Sequence, residues 1–274
     1  MSKSIIKNSK ISVICPVYNS RKYVLNSLES IISQSVKPFE LIIVDDGSTD
    51  GTPDFIFSFL TSKNVKFHWK IIKLLHRGPG ASRNSGILAA KGDWISFIDS
   101  DDIWSFEKLS KVKNVISTNH EINFICHHEK YKKINGTEIN LDFSENYNPQ
   151  SPLSRQLFKR NLFSTSAVTC KRDLLIEGGL FDEHLMSIQD YELWLRLSRK
   201  INLLFIKERL GFYVQREGNI TSGNWFKRMK NETKILYKYR SFVPTPFFLA
   251  RIFIFFSHSL IINFIKNLKW FITK

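Results

Sequence analysis

The chain has 274 residues, 43% hydrophobic and 14% aromatic, enough to bury a core as one large or two small domains, which excludes a disordered chain. Its formal charge of +15 is uneven: residues 199–274 carry 15 Lys/Arg against 3 Asp/Glu, so the basicity belongs to the C-terminal part. Cys15, Cys126 and Cys170 are odd in number, widely spaced and set among apolar neighbours, which gives neither a disulfide framework nor metal-ligand spacing and fits a reducing cytoplasm. Met1 to Lys10 lacks the apolar stretch of a signal peptide, so the expectation is that nothing directs this end to the exterior.

Ile11 to Cys15 is a β-branched apolar run that reads as a buried strand stopped at Pro16. Ser20 is the expected cap of a helix running to about Ser33, with Tyr23, Val24, Leu28, Ile31 and Ile32 at three- and four-residue spacing. Leu41 to Val44 is a second strand, closed by a turn-rich segment from Asp45 to Gly51 that also starts the next helix. Val65 to Leu75 is a third. Pro79 to Lys91 reads as a helix with Pro near its start and Gly92 past its end, and Trp94 to Ile98 is a fourth strand. Beyond Asp102 the pattern loosens: a helix from Ser105 to Thr118, a strand at Asn123 to Cys126, a polar excursion through Asn148, a strand at Phe163 to Cys170, and a helix from Gln189 to Lys200. Strands alternating with helices imply a mostly parallel sheet flanked by helices, in which ligands bind beyond the carboxyl ends of the strands.

Asp99, Asp101 and Asp102 crowd the end of the fourth strand, where they repel one another. Hard oxygen ligands at this density suit Mg²⁺ or Mn²⁺ shared with a diphosphate. The alternative is a solvated turn in which Ser100, Asp101 or Asp102 caps the next helix. Asp45 and Asp46 after the second strand are either turn formers or ligand contacts. His76 to Asn84 is either an ordinary loop and helix start or an anion site offering Arg83 and free backbone N–H groups. Gln189 to Arg196 is either an amphipathic helix with its acids at the favourable end or the carrier of a functional carboxylate. His127-His128 reads as structural.

Taken together and in this order, six segments resemble the inverting glycosyltransferases of family 2: Pro16-Val17-Tyr18-Asn19, Val44-Asp45-Asp46-Gly47-Ser48-Thr49-Asp50, Gly80-Ala81-Ser82-Arg83-Asn84-Ser85-Gly86, Phe97-Ile98-Asp99-Ser100-Asp101-Asp102, Gly178-Gly179-Leu180-Phe181-Asp182-Glu183 and Gln189-Asp190-Tyr191-Glu192-Leu193-Trp194-Leu195-Arg196. The resemblance runs from about Ile11 to Ser222. It implies an α/β GT-A (Rossmann-like) fold, with residues 1–104 as the nucleotide-sugar half, 105–226 as the acceptor and catalytic-base half, and 227–274 as a basic extension. It also implies a UDP-sugar donor held by Pro16, Val17, Tyr18, Asn19, Asp46, Arg83, Asp99 and Ser100, with Asp46 reading the base and Asp99 reaching the ribose. By the same resemblance Asp101 holds Mn²⁺ or Mg²⁺, Asp190 is the base that activates the acceptor hydroxyl, and Gln189, Trp194 and Arg216 serve the acceptor or a closing loop. Gln189 stands where many members carry Glu, and the loop from Tyr213 to Ser222 lacks the His often found after the Arg.

The expected activity is therefore hexosyl or N-acetylhexosaminyl transfer with inversion, to a glycan or lipid-linked acceptor of a bacterial surface polysaccharide such as lipopolysaccharide, capsule or O-antigen. From His258 onward polar and apolar residues recur near helical spacing, an amphipathic helix with lysines that fits peripheral contact with an anionic membrane at the inner face of the cytoplasmic membrane; packing on the enzyme's own core and a membrane span are the alternatives. A basic nucleic-acid-binding protein is the rival from another class, and the acidic segments argue against it. An inactive nucleotide-sugar binder is a third reading, weakened by the coexistence of Asp46, Asp99, Asp101 and Asp190.

Overall fold

The computed structural model describes residues 9–216 and 225–253. Among the described residues nine strands form one sheet in the order β3-β2-β1-β4-β8-β6-β9-β5, with β7 paired to β6. The first four, β1 (Ile11–Val17), β2 (Glu40–Asp45), β3 (His68–Lys73) and β4 (Trp94–Phe97), are parallel neighbours. They are linked through α1 (Val24–Ile32), α2 (Thr52–Ser62) and α3 (Pro79–Ala89). After β5 (Ile103–Trp104) and α4 (Lys108–Thr118) come β6 (Phe124–Lys132), β7 (Glu138–Leu141), α5 (Leu153–Lys159), β8 (Val168–Lys171), α6 (Arg172–Glu177), α7 (Gln189–Leu197), β9 (Leu203–Val214) and α8 (Trp225–Lys238). β8 inserts antiparallel between β4 and β6, while β6 and β9 run parallel.

The two-residue period of the strands divides the core. Ile11, Val13, Cys15, Leu41 and Ile43 point to the face covered by α1, α2 and α4; Ile14, Ile42, Val44 and Phe97 point to the face covered by α3, α5 and α7. Helices on both faces of the sheet make the expected α/β sandwich, and the strand order reverses direction at β1 and β4. That reversal opens the crevice in which the candidate site lies.

Several boundaries differ from the sequence expectation. β1 continues through Pro16 to Val17, because alternate residues of β1 bond to opposite neighbours. Ile14 O accepts from Ile98 N on the β4 side, so Pro16 faces that same side, where pairing has already ended at Ile14 and Phe97. Ser20 starts the α1 turn with its carbonyl, but its hydroxyl accepts from Tyr18 N and pairs with Ser100 instead of capping the helix. α4 begins three residues later than expected, since Ile103-Trp104 pairs with β9. None of Ser100, Asp101 and Asp102 caps a helix. β9 was not expected at all: its exposed Lys207-Glu208-Arg209 centre breaks alternation, and the register shifts there against His127, His128 and Glu129. His127 and His128 are structural, buried within β6, with His128 Nδ1 accepting from Phe143 N at 3.1 Å.

The three cysteines are free and buried. Part of the basic extension packs on the core: Ile235, Leu236, Tyr239 and Val243 are buried in the α3/α5/α7-side cluster, with Phe247, Phe248 and Ile252 against it. No helix of the described residues is long and apolar enough to cross a membrane. The amphipathic pattern from His258 onward and the loop after Arg216 lie outside the described residues.

Candidate functional site

Two clefts open along the carboxyl ends of the central strands. The first, about 610 Å³, is lined by Pro16, Val17, Tyr18, Asn19 and Ser20 after β1, Asp46 after β2, His76, Ser82, Arg83, Asp99, Ser100, Asp101, Met186, Tyr213 and Arg216. The second, about 470 Å³, contains Thr165, Gln189, Asp190, Tyr191, Arg160, Glu232 and Arg251. Pro79, Arg83, Asp99 and Tyr213 line both, so the clefts meet at the start of α3 and the end of β4.

Asp46 follows β2 directly and is 3% exposed. Its two carboxylate oxygens accept from Arg77 N at 2.9 Å and Gly78 N at 2.8 Å, and His76 Nδ1 lies 2.8 Å from Oδ2 and 3.2 Å from the Asp46 carbonyl. The carboxylate thus fixes the 76–78 loop at the rim of the cleft, and the His76 ring stacks on Tyr18 with centroids 4.2 Å apart and planes 23° from parallel. Gly47 makes the approach of that loop possible: its φ is +78°, and a Cβ there would sit 3.0 Å from His76 N. Asn19 ties the loop after β1 to the loop after β2, its Oδ1 accepting from Thr49 N at 2.8 Å.

Arg83 stands in the second turn of α3, 4% exposed, with one guanidinium nitrogen 2.5 Å from Asp99 Oδ1. Its Nε and other terminal nitrogen are buried and make no hydrogen bond. A buried guanidinium with two unsatisfied nitrogens on the wall shared by two clefts gives that wall a positive potential. Asn84, the next residue, donates to Phe181 O at 2.9 Å and Glu183 Oε1 at 2.9 Å and accepts from Phe181 N at 2.8 Å, which joins the third and fifth sequence segments.

The acidic segment after β4 splits into three different environments. Asp99 pairs with Arg83. Asp101 accepts from Arg216 Nε, and the Arg216 guanidinium also lies over Tyr23, 5.0 Å from the ring centroid. Burial and then the Asp99 charge raise the Asp101 pKa, against the lowering pull of Arg216. Asp102 is 1% exposed and turned inward, accepting from Ser166 Oγ at 2.5 Å and Val214 N at 3.1 Å. Burial, then the charges of Glu129, Asp101 and Asp99, hold its pKa well above the ordinary carboxylate value. Ser166, which sequence reasoning missed, also accepts from Asp99 N at 3.0 Å and so clamps both ends of the acidic segment. Ser100 Oγ lies 2.8 Å from Ser20 Oγ, tying the segment to the loop after β1.

Asp190 sits in the first turn of α7, where the helix N-terminus favours an acid, and accepts from Thr165 Oγ1 at 3.2 Å. Ile188, just before the helix, holds φ +56°, a strained setting for a β-branched residue at the lip of the second cleft. Gln189 is buried beside it with an unpartnered Oε1. Trp194 corrects the sequence expectation: it is fully buried among Phe97, Phe124 and Phe181, on the face of α7 opposite solvent, and serves packing instead of the acceptor. Met186, Thr165, Glu232 and Arg251 line the clefts without having been expected; no local motif marks them, since each comes from a loop or a distant helix, whereas His76 and Tyr213 belong to segments already singled out.

Among the described residues no group of three or more His, Cys, Asp or Glu side chains could cage a metal ion alone. Mg²⁺ and Mn²⁺ bound with a diphosphate need only one or two carboxylates, and Asp101, paired with Arg216, is a carboxylate on the wall of the first cleft.

The model of the family described as Glycosyl transferase family 2 matches residues 12–177. An uncharacterized glycosyltransferase of Rickettsia bellii is 30% identical over 98% of this chain and 37% of its own length, so the chain spans about a third of that relative. The Escherichia coli UDP-Glc:alpha-D-GlcNAc-diphosphoundecaprenol beta-1,3-glucosyltransferase WfgD is 30% identical over 92% of both chains. Among solved structures, S. aureus TarS 1-349 in complex with UDP-GlcNAc matches at 26% identity with a TM-score of 0.67, covering 83% of this chain and 66% of that one.

Proposed function

The chain belongs to glycosyl transferase family 2, with its GT-A α/β fold, and we propose that it transfers a hexosyl or N-acetylhexosaminyl group from a UDP-sugar to a glycan or lipid-linked acceptor in cell-surface polysaccharide assembly. The observation that carries this reading is the meeting of the two clefts at Arg83 and Asp99. One cleft is lined by the strand ends suited to a nucleotide diphosphate, and the other opens on Asp190. The UDP-GlcNAc complex of TarS and the UDP-Glc specificity in the name of WfgD favour a UDP-sugar, and WfgD favours a lipid-diphosphate acceptor.

In this scheme the Tyr18–His76 stack and the loop held by Asp46 receive the base, Asp99 and Ser100 lie toward the ribose, and the Arg83 charge attracts the diphosphate. Pro16, Val17 and Asn19 form the floor and bank of the nucleotide cleft. Asp101 would hold a Mn²⁺ or Mg²⁺, which would supply charge neutralisation for the departing diphosphate. Asp190, held by Thr165, takes the proton of the acceptor hydroxyl while its oxygen attacks the anomeric carbon from the second cleft, opposite the diphosphate. A single displacement with the base across from the leaving group inverts the anomeric centre, so an α-linked donor yields a β-linkage. Gln189 offers an uncharged amide beside that hydroxyl, and Arg216 a cation beside Asp101.

The proposed place of work is the inner face of the cytoplasmic membrane, with peripheral contact to anionic lipid. Incubation with Mn²⁺ and a panel of nucleotide sugars tests the reading. Release of UDP from a UDP-sugar, raised by a saccharide acceptor, supports it. Salt-sensitive nucleic-acid binding with no stabilisation by UDP contradicts it.

A further inference from the structure

We propose that the C-terminal segment, beyond the region matched by the family model, completes the acceptor site: Glu232 of α8 and Arg251 of the following helical stretch at 245–253 form a charged pair that hydrogen-bonds the hydroxyl groups of the acceptor saccharide. This rests on the reading of Asp190 as the base and of the second cleft as the acceptor's. Arg251 lies 3.1 Å from Glu232 Oε1, and both line that cleft with Asp190. Their side chains are 15% and 20% exposed, so the pair is sheltered enough for its hydrogen bonds to count.

The segment is anchored. Glu192, two residues after Asp190 on α7, is 1% exposed and receives three donors: Arg196 at 3.0 Å from the same helix, Lys238 Nζ at 2.9 Å, and the Tyr239 hydroxyl. Those partners hold the Glu192 pKa below its usual value despite the opposing effect of burial. Ile235 and Leu236 insert into the core beside this knot, and Tyr191 OH bonds Leu157 O of α5 at 3.0 Å, so base helix, α5 and α8 form one packed unit. A residue on α8 is therefore placed relative to Asp190 through charged contacts that converge on the buried Glu192.

The chemistry of the pair selects the ligand class. Among the described residues that line this cleft, Arg83, Arg160 and Arg251 are matched in number by Asp99, Asp190 and Glu232, a balance that favours neutral polar groups over an anion. A carboxylate beside a guanidinium offers an acceptor and a fork of donors together, which suits hydroxyls that both give and take hydrogen bonds. Phe143, Phe163 and Tyr213 add apolar faces for a sugar ring.

The test uses the full chain, Mn²⁺, UDP-glucose and UDP-N-acetylglucosamine as donors, and methyl α-N-acetylglucosaminide and its alkyl α-diphosphate analogue as probe acceptors. Arg251→Gln and Glu232→Gln are expected to raise the acceptor KM about 10- to 100-fold, the loss of a hydrogen bond to a charged group, while the donor KM and the melting temperature stay near those of the parent chain. Unchanged acceptor KM in both variants overturns the proposal and leaves the enzyme assignment standing. Equal loss for donor and acceptor, or a collapsed melting temperature in both, also overturns it, because the pair then holds the fold and not the acceptor. Hydrolysis of donor by the parent chain with no saturable effect of either probe contradicts a saccharide site here. Absence of any donor turnover overturns the glycosyltransferase reading and this proposal with it.

Discussion

The Arg83 guanidinium lies 2.5 Å from Asp99 Oδ1, and this pair is the shared wall of the two clefts. One residue comes from the second turn of α3 and the other from the end of β4, so the helix that packs beside β1 and the strand that pairs with it jointly shape that wall.

Arg83→Gln leaves Asp99 without its cation and removes the two idle donors. UDP affinity, measured by calorimetry in the presence of Mn²⁺, is expected to fall by about tenfold or more, and kcat by about 10²- to 10³-fold if Arg83 also meets charge developing on the leaving diphosphate.

Ser166→Ala strips Asp102 Oδ2 of its 2.5 Å donor and Asp99 N of its acceptor. Urea denaturation should show a loss of about 1–3 kcal/mol, the cost of leaving buried polar groups unsatisfied. Because Asp102 also holds Val214 N at the end of β9, the same variant should loosen the approach of Arg216 to Asp101, visible as weaker Mn²⁺-dependent UDP binding.

Gly86 faces β1 so closely that a Cβ would lie 2.6 Å from Ile14 Cγ2. Gly86→Ala must push α3 off the sheet and is expected to cost about 1–3 kcal/mol in stability, with UDP affinity falling alongside because Arg83 rides on the same helix.

Glu129 is fully buried in β6, and burial pushes its pKa from 4.5 up to about 7. An acid whose pKa is raised on folding contributes least penalty below its unfolded value and loses stability as pH rises through the folded one. Glu129→Gln should therefore gain stability relative to the parent chain between about pH 4.5 and 7, with the difference flat above that range. A difference independent of pH would show that Glu129 does not titrate there.

Much of the donor half was legible because its signals are local. Ile11 to Cys15 and Leu41 to Val44 are unbroken apolar runs, and Asp46, Asp99 and Asp101 stand at strand ends where the chain must turn. The sequence expectations failed where function depends on long-range packing. Trp194 shares its helix with Asp190, yet its own position on α7 turns it into the Phe97, Phe124 and Phe181 cluster. Asp102 looked like a helix cap and is instead pulled inward by Ser166, a residue 64 positions later. β9 was hidden by Lys207, Glu208 and Arg209, which face solvent across a bulge where alternation breaks down. Glu232 and Arg251 carry no motif, and only the packing of α8 against α7 brings them beside Asp190.

Asp190→Asn is the most direct test of the central claim, since it keeps the shape of the side chain and its contact with Thr165 while removing the base. The account predicts a kcat for sugar transfer lower by about 10²- to 10⁴-fold, with UDP affinity and melting temperature near those of the parent chain. Near-normal turnover by this variant would contradict the assignment of Asp190 and, with it, the placement of the acceptor in the second cleft.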